Sequence, residues 1–141
     1  MTFGRSNITK RVRILKVHFG CVFKLEDYQS TLIYFMKTLR FVGSSLDDLK
    51  AFPPWVRRAA GFELDAVQRG FMPSDFKPMA AVGTGVYEIR IHAAGEWRII
   101  YVAKRRETIF VLHAFQKKSR STLREHIELA RHRYKALEHM S

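Results

Sequence analysis

Apolar positions change their period along this chain, and each change marks an element. At 38–42 the run Thr-Leu-Arg-Phe-Val is rich in strand-forming residues and stops at Gly43, which predicts a first edge strand. Ser44 and Ser45 then offer capping oxygens. Asp47 and Asp48 follow in a first turn, where carboxylates favour the helix dipole, so a short helix is predicted over 46–51. Pro53 and Pro54 end that helix and open the next. Val56, Ala60, Leu64 and Val67 recur at spacings of four, four and three, one face of an amphipathic helix that ends near Gly70 and forms a hairpin with its predecessor.

After a loop containing Pro73 and Pro78 the period drops to two. Tyr87, Ile89 and Ile91 alternate with Glu88, Arg90 and His92, which predicts a strand with one buried and one exposed face. A turn at Ala94-Gly95-Glu96 leads to a strand at 97–103, and a charged corner at 104–107 leads to another at 108–115, so three strands form an antiparallel meander. Thr122 followed by Glu125 matches a capping box, and Leu123, Ile127, Ala130, Tyr134 and Leu137 mark the buried stripe of a C-terminal helix. This order describes an α+β domain of two layers, with helices covering one face of a mostly antiparallel sheet.

The 141 residues suffice for one domain with its own core. The segment 36–141 carries all the bounded elements and Met36 reads as the functional start, while 1–35 has no clean period and reads as a basic N-terminal extension or an upstream misread, the rival being a genuine flexible arm that grips nucleic acid. Its six basic residues against Glu26 and Asp27 account for +4 of the net +12, so +8 belongs to the body of the chain. A charge of this size points to a polyanionic partner such as RNA, DNA or an acidic protein, or more blandly to solubility. The lone Cys21 allows no internal disulfide, and the apolar run at 17–25 is too short to span a bilayer. A cytoplasmic protein away from membranes is the expectation.

No metal site or cofactor is implied, because the histidines form no ligand spacing except His126 and His132 on a polar helix. Gly83 and Gly85 resemble a phosphate loop but lack a preceding strand, and read better as a turn. What remains is basic and polar: Lys77 before the sheet, Arg90 and His92 on one strand, Arg98 on the next, His113 on the third, and Lys117, Lys118 and Arg120 beyond it. Such a set suits RNA cleavage by the adjacent 2′-hydroxyl. Cations stabilise the extra charge of the pentavalent transition state, and histidine has a suitable pKa for proton transfer. Each also has a plainer role: exposed strand arginines, a core histidine, a solvated strand end at His92, a lysine run that only touches phosphate. Tyr101, on an alternate face with Ile99, reads as core.

The stretches Gly85-Val86-Tyr87-Glu88-Ile89-Arg90, Trp97-Arg98-Ile99-Ile100-Tyr101 and Val111-Leu112-His113-Ala114-Phe115-Gln116-Lys117-Lys118-Ser119 together resemble the phage-derived branch of the RelE/HigB toxin superfamily, over about 36–137. The resemblance implies a RelE/ParE-like fold. It also implies a type II toxin that cleaves messenger RNA on the ribosome, and a cognate antitoxin that often carries a helix-turn-helix domain. Arg90, Arg98, His113, Lys117 and Lys118 are the expected catalytic set, and Lys77, His92 and Arg120 the expected RNA-binding set. Ser119, Arg120, Ser121 and Thr122 stand where well-known members carry a tyrosine, which leaves the base open between His113 and a lysine. The alternatives on the same fold are a ParE-like gyrase inhibitor without catalysis, or an inactive protein that binds nucleic acid and antitoxin.

Overall fold

The computed structural model describes residues 36–103 and 107–140. The N-terminal extension, with Cys21 and the 17–25 run, and the corner at 104–106 lie outside the described residues. The elements run β1 (Thr38–Phe41), α1 (Ser45–Lys50), α2 (Pro54–Gln68), β2 (Phe76–Pro78), β3 (Val86–His92), β4 (Glu96–Val102), β5 (Thr108–Gln116) and α3 (Arg120–His139). They build a five-stranded sheet in the order β1-β5-β4-β3-β2. Only β1 pairs in parallel, against β5, and the expected meander of β3, β4 and β5 is antiparallel throughout. The α+β class, the mostly antiparallel sheet, the paired helices before it and the helix after it are those the sequence predicts. Among the described residues, no helix is long and apolar enough to cross a membrane.

The layers differ from the expectation. Val56, Ala60, Leu64 and Val67 of α2, with Leu49 and Phe52, pack on Ile89, Ile91, Trp97, Ile99, Tyr101, Ile109 and Val111. Ala130 and Tyr134 of α3, flanked by Leu123, Ile127 and Leu137, pack on Val86, Ile100, Val102, Leu112 and Phe115. These are two cores on opposite sides of the sheet, so helices cover both faces rather than one. The physical signal is β4, whose residues from Trp97 to Val102 are all buried, as in a strand covered from both sides. The polar positions of β3 are therefore not simply solvent-facing, and Glu88 is buried.

Three local features shape the α3 side. The edge strand β2 pairs Phe76, Lys77 and Pro78 with Ile89, Glu88 and Tyr87, where an edge position tolerates the proline. Gly83 lies flat against the Tyr134 ring, which a Cβ would overlap, and the Tyr134 hydroxyl donates to the Thr84 carbonyl at 3.1 Å. Val82 to Val86 is thus a turn feeding β3, with Gly85 at φ +74. Finally, α3 starts at Arg120, ahead of the predicted capping box, with the Leu123 amide bonded to the Ser119 carbonyl. Thr122 therefore lies inside the first turn rather than at the N-cap.

The ladder between β4 and β5 contains a bulge. Ile100 pairs with His113 and Tyr101 with Val111, so Leu112 is an extra residue on β5. Simple alternation from Val111 would return position 113 to the α2 side. The bulge instead turns Leu112 and His113 both toward α3, a re-aiming for which β-bulges are suited.

Candidate functional site

Cross-strand partners share a face, so the register lays out the side chains under α3 in three rows. One row holds Lys77, Glu88, Ile100 and His113, and the next holds Arg90, Arg98 and Phe115. The third holds His92 and Glu96, and Lys117 extends it through its backbone N–H, which donates to the Glu96 carbonyl at 2.7 Å. Lys118 and Arg120 are exposed at the junction of β5 and α3. The register thus brings Lys77, Arg90, His92, Arg98, His113 and Lys117 onto one side of the sheet.

The strand arginines are not free cations. Glu88 Oε1 accepts from Arg90 Nε at 3.3 Å and faces Arg98 Nε at 3.4 Å, while Arg98 NH1 reaches Glu96 Oε2 and the Trp97 carbonyl, both at 2.9 Å. Arg98 is 5% exposed and belongs to the floor of the face, whereas Arg90 keeps an open edge. The chain of contacts continues through His92, whose Nδ1 meets Glu96 Oε1 and whose Nε2 meets Asp75 Oδ2, each at 2.8 Å.

With a carboxylate on each ring nitrogen, only the doubly protonated imidazolium satisfies both partners. Hydrogen bonds first to Glu96 and then to Asp75 accordingly raise the His92 pKa. Because the pKa is raised, this clasp adds stability below the ordinary imidazole range and loses it as pH rises through the raised value. In an NMR titration His92 is expected to turn over above about 6.5. Glu96→Gln is expected to bring the midpoint down toward that value.

His113 is buried beneath α3. Its Nε2 lies 2.6 Å from His126 Nδ1, and its Nδ1 faces Asp48 Oδ2 at 3.6 Å and Arg133 NH1 at 3.4 Å. Burial first, then the neighbouring His126 and Arg133, push its pKa down to about 4 against the opposing Asp48 carboxylate. Burial also lowers His126, with Glu125 and Asp48 opposing. Near neutral pH the two rings are therefore uncharged and linked by one N–H donating to the other nitrogen. Phe115 stacks on His126 with ring centres 4.0 Å apart. Arg133 ties the site to the hairpin side, donating to the Leu112 carbonyl at 2.7 Å and to Ser44 Oγ at 2.9 Å.

His126, Asp48, Arg133 and Glu88 are the participants that sequence reasoning missed. His113 inside an apolar strand does signal that a buried partner is required, though not which one. Tyr101 is core, as expected, and burial raises its pKa further. Among the described residues no carboxylate pairs with Lys77, Lys117, Lys118 or Arg120, so these supply the free positive charge at the rim. No group of three or more His, Cys, Asp or Glu among the described residues is placed to hold a metal ion.

No curated protein matches the sequence. A family model described as Phage derived protein Gp49-like (DUF891) matches residues 47–135, which include nearly all of α2 to α3 and every site residue named above except Ser44. With well over half of its length matched, the chain belongs to the Gp49-like family of phage-derived proteins.

Proposed function

We propose that this chain is the toxin of a type II toxin-antitoxin pair, a ribosome-dependent endoribonuclease that cleaves messenger RNA by 2′-hydroxyl attack. Its RelE/HigB-like stretches and its Gp49-like membership support the reading. The observation that carries it is the layout under α3: polar side chains from β2, β3, β4 and β5 share one side, rimmed by Lys77, Lys117, Lys118 and Arg120 without carboxylate partners among the described residues. In the reaction the 2′-oxygen bonds to phosphorus as the bond to the 5′-oxygen breaks, leaving a cyclic phosphate. Rim ammonium and guanidinium groups stabilise the charge that gathers on the phosphoryl oxygens. A cognate antitoxin with a helix-turn-helix domain, an acidic or helical segment of which masks the basic rim, completes the reading.

One observation favours a second reading, a ParE-like inhibitor of gyrase without catalysis. Arg90 and Arg98 spend their charge on Glu88 and Glu96, which a protein-binding surface tolerates better than a phosphate site. Induced expression separates the two: the nuclease depletes translated messages without DNA damage, and the inhibitor damages DNA with messages intact. Lys118→Ala is expected to relieve growth arrest, lowering cleavage by roughly 10- to 100-fold for one lost phosphate contact, while co-purification with the antitoxin persists. Undiminished toxicity in Lys118→Ala combined with Arg90→Ala removes both from the mechanism.

A further inference from the structure

We propose that His126 is the group that accepts the 2′-hydroxyl proton, with His113 and Asp48 as positioning residues behind it. This rests on the RNA-cleavage reading above and supplies the base that the sequence leaves open.

The fold invests a bulge in this arrangement. With regular alternation past Leu112, His113 would face α2; the bulge instead lets His113 meet His126 at 2.6 Å across the β5 and α3 interface. The remaining question is which nitrogen carries a proton. Asp48 beside His113 Nδ1 favours a proton there, which leaves Nε2 to accept from His126 Nδ1–H. Arg133 Nη1, 3.4 Å from His113 Nδ1, can donate to it and so favours the reverse tautomer, although its shorter bond, at 2.7 Å, runs to the Leu112 carbonyl; we take the Asp48-favoured tautomer as the reactive one. In the Asp48-favoured tautomer the lone pair of His126 lies on Nε2, which has no partner among the described residues. His126 is itself only partly buried. The order carboxylate, imidazole, imidazole orients the outer ring and stabilises the imidazolium it becomes.

Position and protonation agree with that role. Phe115 lies under the His126 ring and pairs across the ladder with Arg98, so the free nitrogen belongs to the same side of the sheet as the arginine row. The charged and titratable groups facing the pair are Asp48 from α1, His113 from β5, and Glu125 and Arg133 from α3, with Arg98 of β4 beyond Phe115. Their balance with burial lowers the His126 pKa, which keeps the ring a base at neutral pH. In the step, the 2′-O–H proton passes to His126 Nε2, the 2′-oxygen forms its bond to phosphorus, and the departing 5′-oxygen takes a proton from water.

The test is single-turnover cleavage of a defined message on programmed ribosomes by the full chain, from about pH 5 to 9. His126→Gln is expected to slow cleavage by roughly 10²- to 10⁴-fold while thermal unfolding stays unchanged. In the wild type the rate should fall toward acid pH, through an apparent pKa below the ordinary imidazole value. Asp48→Asn removes a charge that raises the His126 pKa, so this acid limb should move to still lower pH. A role limited to structure would lower the rate without moving the limb. A wild-type chain that cleaves while His126→Gln stays within about threefold of it overturns this proposal alone. A wild-type chain that leaves the message intact overturns the RNA-cleavage reading and the proposal with it.

Discussion

Glu88→Ala is expected to lower folding stability by about 3 to 5 kcal/mol, a large part of the roughly 5–15 kcal/mol that holds a typical domain folded. Glu88 is 4% exposed and its Oε1 faces two guanidinium groups, those of Arg90 and Arg98. Arg98 is as buried as its partner, and without Glu88 it keeps only the half-exposed Glu96 and one carbonyl. An unpaired buried cation is far costlier than the pair is favourable, because desolvation is repaid only while the counter-charge is present. The double change Glu88→Leu with Arg98→Met should therefore recover most of the loss, since Val86, Ile100 and Phe115 already make that face apolar. Urea denaturation of both single variants and the double variant measures the coupling. A loss below about 1 kcal/mol in Glu88→Ala would mean that water reaches Arg98 in solution.

The same ion pairs explain why the site was only half legible in the sequence. The alternation of Tyr87, Ile89 and Ile91 with Glu88 and Arg90 correctly gives a strand and its α2-facing side, and the stripe on α2 gives its partner. It also suggests that the charged side is open to water, because a carboxylate and a guanidinium that will neutralise each other look the same in sequence as two solvated charges. The apolar stripe of α3 was equally legible, yet amphipathic helices do not announce which face of a sheet they cover. A nearly unbroken apolar run in β4 was the available hint. The edge strand β2 was hidden by its length of three residues and by Pro78.

His126 was lost for a different reason. It borders the apolar stripe of its helix, three residues after Leu123 and four before Ala130, but its immediate neighbours Arg124, Glu125 and Glu128 are charged, and its partner is set by a one-residue bulge. Local patterns fix elements and faces. They do not fix register irregularities, and here one irregularity decides which histidines meet.

Phe115→Ala is the second substitution with a large expected effect, about 3 to 5 kcal/mol in urea denaturation, from the cavity left under α3. Phe115 is 4% exposed and sits between Arg98 on the neighbouring strand and the His126 ring, with His113 stacked 5.3 Å away. Phe115→Leu retains most of the apolar contact and should lose only roughly 1 to 2 kcal/mol, so the fold survives and the ring's other role can be read. That role is positional: a flat surface holds the His126 ring parallel to it, whereas a branched side chain leaves the ring free to tilt. Under the cleavage reading, a folded Phe115→Leu chain should cut its message roughly 10- to 100-fold more slowly, the scale expected when a reacting group drifts by about an ångström. Phe115→Tyr preserves the ring face and should stay near the wild-type rate, which separates loss of the aromatic platform from loss of packing.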